Sequence, residues 1–142
     1  MSNKRISYTG IILNEQSKRK LYKLIKGMIP DGWIIYMHHI TLNLGEAKPE
    51  IIPYLNTTSR FRVISLGQND MALAAGIEII YPNIKSDKKI PHVTIAVNPN
   101  GGKPRMSDDI KKWYPINTKI YFSGKIEEVP FNINEYDEIS NI

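Results

Sequence analysis

The chain has 142 residues, no cysteine, and 19 Lys and Arg against 14 Asp and Glu, for a formal net charge of +5. That length reads as a single domain over residues 1–142, and the missing cysteines exclude disulfides, thiolate metal sites and a thiol nucleophile together. No apolar run is long enough to cross a bilayer, and Met1 to Arg5 lead into a folded-looking segment without a signal-peptide core. The expected setting is the cytoplasm, that of the host cell if the source is viral, with no membrane partner and no obligate protein partner.

In chain order, Ile6 to Leu13 reads as a strand holding Tyr8 and Gly10, and Asn14 offers a cap to the helix that follows. Leu21, Leu24, Ile25 and Met28 recur there at helical spacing among Lys18, Arg19, Lys20, Lys23 and Lys26. The basic face is read as a solubilising surface. Gly27, Pro30, Asp31 and Gly32 turn the chain into a strand from about Trp33 to Leu44. Pro49 and Pro53 bracket one or two helical turns at Glu50 to Leu55. Arg60 to Leu66 and Met71 to Ile80 form a hairpin joined at Gly67 to Asp70. A polar loop, Tyr81 to Pro91, precedes a further strand.

Asn98 to Arg105, with two prolines and Gly101-Gly102, reads as an exposed, mobile loop. Ser107, Asp108 and Asp109 with Lys111 and Lys112 predict a short capped helix, with Trp113 at its end and Pro115 as its stop. A last strand covers Lys119 to Val129, and the polar tail beyond Phe131 is expected to be partly disordered. The middle strands follow one another without helices between them, so the fold class is α+β rather than doubly wound.

Two tripeptides of one form stand out: His39-Ile40-Thr41 and His92-Val93-Thr94. With a strand's period of two, His39, Thr41 and Asn43 share one face, while Ile40, Leu42 and Leu44 share the other. In the second run His92, Thr94, Ala96 and Asn98 oppose Val93, Ile95 and Val97. A single such histidine is ordinarily a structural residue on a solvated sheet, with threonine present for its strand propensity. Two in matching pattern favour a site. His38 should point away from His39 on an extended strand, which also argues against zinc, since neighbouring strand histidines cannot both reach one ion. No metal or cofactor is expected.

The paired His-x-Thr tripeptides resemble the 2H phosphoesterase superfamily. Its flanks here, Tyr8-Thr9-Gly10, Gly32-Trp33 before His38, and Pro91-His92 before Gly101-Gly102-Lys103, look most like two branches. These are the phage anti-CBASS enzymes that degrade cyclic oligonucleotides and the RNA-repair-like cyclic phosphodiesterases. The resemblance implies a bilobed fold, with two pseudo-symmetric lobes of antiparallel strands around a central cleft. It also implies catalysis by His39 and His92 as general acid and base, with Thr41 and Thr94 donating to phosphate oxygens. Cleaving a phosphodiester takes one proton from the attacking oxygen and gives one to the leaving oxygen, work suited to two imidazoles near neutrality.

The expected function is metal-independent cleavage of 3′,5′ linkages in a cyclic oligonucleotide, a viral counter-defence activity. The alternatives are a 2′,3′-cyclic phosphodiesterase of RNA repair and a non-catalytic RNA- or nucleotide-binding module. Secondary candidates for binding substrate are Tyr8 and Trp33 as base platforms, Lys103 and Arg105 as phosphate ligands, and Glu127 as an orienting carboxylate. Each has a plainer reading as a core aromatic or a solvated charge.

Overall fold

A computed structural model describes residues 5–131. Its strands are β1 (Ile6–Leu13), β2 (Ile34–Ile35), β3 (His39–Leu44), β4 (Thr58–Gln68), β5 (Ala72–Tyr81), β6 (His92–Val97), β7 (Trp113–Pro115) and β8 (Tyr121–Pro130). One α-helix, α1 (Glu15–Ile25), and short 3-10 turns at Lys26–Met28, Ile52–Tyr54 and Pro104–Asp109 complete the described elements. The polar tail after Phe131 lies outside the described residues.

The strands run β6-β3-β1-β8-β4-β5, every neighbouring pair antiparallel, and β5 pairs back onto β6. That last pairing closes a six-stranded barrel, with β2 on the far part of β6 and β7 on β4. The result is a small α+β fold dominated by antiparallel strands. Alternate residues fill its core: Ile11, Ile40, Phe61, Val63, Val93, Ile95, Phe122 and Ile126 are fully or almost fully buried. Phe61 and Phe122, paired across β4 and β8, stack with centroids 5.7 Å apart.

β1 has the bounds its sequence predicts, and α1 begins where expected because Asn14 Oδ1 accepts the Ser17 amide at 2.8 Å. Leu21 and Ile25 are buried, and the Ser17 hydroxyl accepts the Ser123 amide, docking the helix on the start of β8.

Three expectations are corrected. The strand expected from Trp33 to Leu44 is two strands, because the register slips between them. Ile35 pairs with Ala96 and Ile40 with Val93, so five steps on one side match three on the other. The excess is taken up around Met37, which is buried with φ +50°.

Leu44, expected on the core face, is 76% exposed. In the β1–β3 pair Thr9 meets Asn43 and Gly10 meets Thr41, so Leu42 is the extra residue of a bulge that reverses the faces beyond it.

The helix expected from Ser107 does not form. Its start belongs to the 3-10 turn Pro104–Asp109, and Trp113 to Pro115 pair with β4 as β7. Trp113 packs directly over Gly67, where an added Cβ would lie 2.8 Å from the indole. That packing outweighs the local capping signal.

Candidate active site

His39 and His92 both line one cleft of about 780 Å³ on the outer face of β6, β3, β1 and β8. The register explains why. Ile40 opposite Val93 in an antiparallel pair sets His39 across from Thr94 and Thr41 across from His92. All four side chains therefore leave the barrel on the same face, and Thr41 and Thr94 line the cleft with the histidines. Gly10, next to Thr41 on β1, has no room for a side chain: a Cβ would lie 2.6 Å from the Ile40 carbonyl and 3.2 Å from the Tyr8 ring. Tyr8 occupies that space.

The two histidines are held differently. His92 Nδ1 donates to the Ile90 carbonyl at 2.8 Å, which fixes that ring's proton on Nδ1 and leaves Nε2 as the nitrogen that can accept one. Asp108 Oδ1 lies 3.9 Å from that Nε2, and Asp108 Oδ2 pairs with Lys88 Nζ at 2.8 Å. On the other strand, Tyr8 stacks on His39 with centroids 4.3 Å apart, and its hydroxyl lies 3.2 Å from His39 Nδ1. Burial first, then the neighbouring His38, His92 and Lys88, push the His39 pKa down to about 4. His39 is thus a neutral imidazole at pH 7.

The threonines also differ. The Thr94 hydroxyl bonds to Ser107 Oγ at 2.9 Å and to the Pro104 carbonyl at 3.2 Å. It ties down the turn that brings Arg105 and Asp108 to the cleft wall. Thr41 contributes its carbonyl to Ser86 Oγ at 2.7 Å, while the neighbouring Leu42 carbonyl accepts the Asp87 amide. Those two bonds pin the loop that carries Lys88.

His38 departs from its expected place. Its ring is exposed, yet its Nδ1 comes within 3.0 Å of His39 Nδ1, because the chain entering β3 is not extended at Met37. Loss of hydration on its covered side and the Lys18 ammonium hold its pKa below the ordinary imidazole range, with Glu127 acting oppositely.

Asn43 is buried and its amide donates to the Leu44, Gly45 and Glu46 carbonyls. Asn98 bonds the Asp70 carbonyl and the Asn100 amide. Both tie loops, and neither lines the cleft.

Of the secondary candidates, Tyr8 and Arg105 line the cleft. Trp33 packs against the core, Lys103 leads exposed into the 3-10 turn, and Glu127 lines a neighbouring pocket of about 410 Å³ beside His38. Lys88, Asp108, Tyr36 and Leu44 are cleft residues that sequence reasoning does not select. Nothing in the polar loop around Lys88 marks it in advance, whereas Tyr36 stands three residues before His39. Among the described residues no group of three or more His, Cys, Asp or Glu gathers as a metal site would require.

No protein-family model and no curated protein matches the chain. Among solved structures, its fold is similar to that of a chain described as a fungal RNA kinase, with a TM-score of 0.62 and 13% identity. The match covers 93% of this chain and 47% of the other, so the chain spans about half the length of that protein. At this identity the likeness is one of fold.

Proposed function

We propose that the chain is a metal-independent phosphodiesterase of the 2H type, acting on the 3′,5′ linkages of a cyclic oligonucleotide. The observation that carries this reading is the convergence of His39 and His92 in one cleft, each beside the other motif's threonine. The β3–β6 pair, which sets the two motif strands side by side in the closed barrel, fits that resemblance, and the bilobed arrangement it implies remains part of the proposal.

The environments divide the roles. A histidine kept neutral is suited to take a proton, so His39 is the base. His92 is then left as the acid, its ring held by the Nδ1 bond to the Ile90 carbonyl and Asp108 Oδ1 3.9 Å from its Nε2. In the step proposed, His39 Nε2 removes the proton of the substrate's 2′-hydroxyl, whose oxygen attacks phosphorus. The bond from phosphorus to the 5′-oxygen breaks, and His92 Nε2 protonates that leaving oxygen. The product is a linear oligonucleotide with a 2′,3′-cyclic phosphate at one end and a 5′-hydroxyl at the other. Lys88, Arg105 and the Thr41 hydroxyl face the non-bridging oxygens, where positive charge and donors stabilise the developing negative charge.

The apolar side chains of the cleft, Ile35, Tyr36, Leu44, Val129 and Pro130, suit nucleobases on either side of the cut phosphate. A second reading, hydrolysis of a 2′,3′-cyclic phosphate at an RNA end, is favoured by the fold likeness to a protein described as an RNA kinase.

A comparison of specificity constants on a 3′,5′-cyclic dinucleotide or trinucleotide, its 2′-deoxy analogue and a 2′,3′-cyclic mononucleotide separates them. Fast cleavage of the first with none of the analogue supports the proposal. Preference for the last supports the RNA-end reading, and binding without product returns the chain to a binding module.

A further inference from the structure

His39 Nδ1 has two neighbours that are not equivalent. The Tyr8 ring lies 23° from parallel to the imidazole, so its hydroxyl reaches Nδ1 from the side of the ring face. An imidazole nitrogen carries its hydrogen or lone pair in the ring plane, and hydrogen bonds weaken steeply away from their preferred direction. His38 instead stands edge-on, its plane 82° from that of His39, with the two Nδ1 atoms 3.0 Å apart. Two ring nitrogens at that distance need one proton between them, one donating and one accepting.

The role of His39 chooses the direction. A neutral His39 whose Nε2 takes a proton from substrate carries its own hydrogen on Nδ1, so that nitrogen is the donor of the pair and the His38 Nδ1 is the acceptor. The geometry points to His38 as a positioning residue that accepts the Nδ1 proton of His39 and so keeps the His39 Nε2 lone pair turned to the cleft. This rests on the reading of His39 as the base. Without His38 the in-plane acceptor of the Nδ1 proton is gone, and the proton returns to Nε2, the tautomer that a free imidazole side chain prefers, which removes the base. The charged and titratable groups bearing on the pair are Lys18 from α1, Glu127 from β8, Lys88 from the loop before β6, His92 from β6 and Tyr8 from β1.

The test is nitrogen-15 NMR of the histidine side chains in the whole chain at neutral pH, with His38→Phe and His38→Asn as variants. Phenylalanine keeps an aromatic ring without an acceptor, whereas the asparagine oxygen sits near the position of Nδ1. His38 is exposed, so both variants should fold, and backbone spectra verify that. The expected result is His39 protonated on Nδ1 in the wild type, on Nε2 in His38→Phe, and on Nδ1 again in His38→Asn. In parallel, kcat falls on the order of 10² in His38→Phe with KM held, and His38→Asn recovers most of it. A wild-type His39 protonated on Nε2, or a tautomer unchanged in His38→Phe, overturns the proposal. Should the wild type cleave no phosphodiester, the functional reading fails, while the tautomer measurement still decides the role of His38.

Discussion

Ile40 and Val93 face each other across β3 and β6, and around that one contact the two histidine tripeptides pass in opposite directions. His39 comes to lie across from Thr94, and Thr41 across from His92. In the mechanism proposed, a phosphate centred on the crossing would meet one imidazole from each side, as in-line displacement with separate acid and base requires.

The pH dependence should show which histidine is the base. His39 acts only when unprotonated, and burial with its cationic neighbours holds its pKa to about 4. The acid limb of kcat/KM should therefore fall near pH 4, well below the ordinary imidazole value of about 6.5. An acid limb near 6.5 would show that His39 is not the group responsible.

The same depression has a cost in stability. The unfolded chain takes up a proton at His39 below pH ~6.5, while the folded chain refuses it until about pH 4. The unfolded state thus binds more protons in that window, and stability falls as the pH drops through it, by on the order of 2 to 3 kcal/mol at pH 4. His39→Gln should remove this part of the acid sensitivity. Urea titrations of both proteins at pH 7 and pH 4.5 measure it, and equal losses in the two would contradict the assignment.

The bounds of β1, the Asn14 cap and the shared face of each histidine and threonine are legible in the amino-acid sequence, because short-range patterns set them. The break at Met37 and the bulge at Leu42 are not, since each is set by register with a partner strand. For that reason strand periodicity alone places Leu44 and His38 in the wrong surroundings. Closure of the barrel through β5 and β6 is likewise a non-local pairing. Lys88 and Asp108 reach the site from two irregular segments that only meet in space.

The threonines should separate by what they lose. Thr94→Ala leaves the buried Ser107 hydroxyl without its partner and should cost about 1 to 3 kcal/mol of stability as well as activity. Thr41→Ala should lower kcat, on the order of tenfold or more, with little change in the unfolding midpoint. Equal stability losses in the two variants would mean that Thr94 does not hold the Pro104–Asp109 turn.

Among the basic residues the cleft wall makes a distinction that charge alone does not. Lys88→Ala and Arg105→Ala should raise KM and flatten its dependence on salt, because both line the cleft. Lys103→Ala should change neither, since Lys103 stands exposed outside that wall. Kinetics at low and moderate salt check this, and a Lys103 effect equal to that of Arg105 would place the phosphate elsewhere.

The most direct measurement is turnover of cyclic oligonucleotides and of a 2′,3′-cyclic nucleotide, in excess chelator, by the wild type, His39→Ala, His92→Ala and the double variant. The account predicts product from the wild type with chelator present, loss of turnover in either single variant, and no further loss in the double, because the two imidazoles act as a unit. Turnover that requires an added divalent ion, or that survives in either single variant near the wild-type rate, would contradict the two-histidine mechanism.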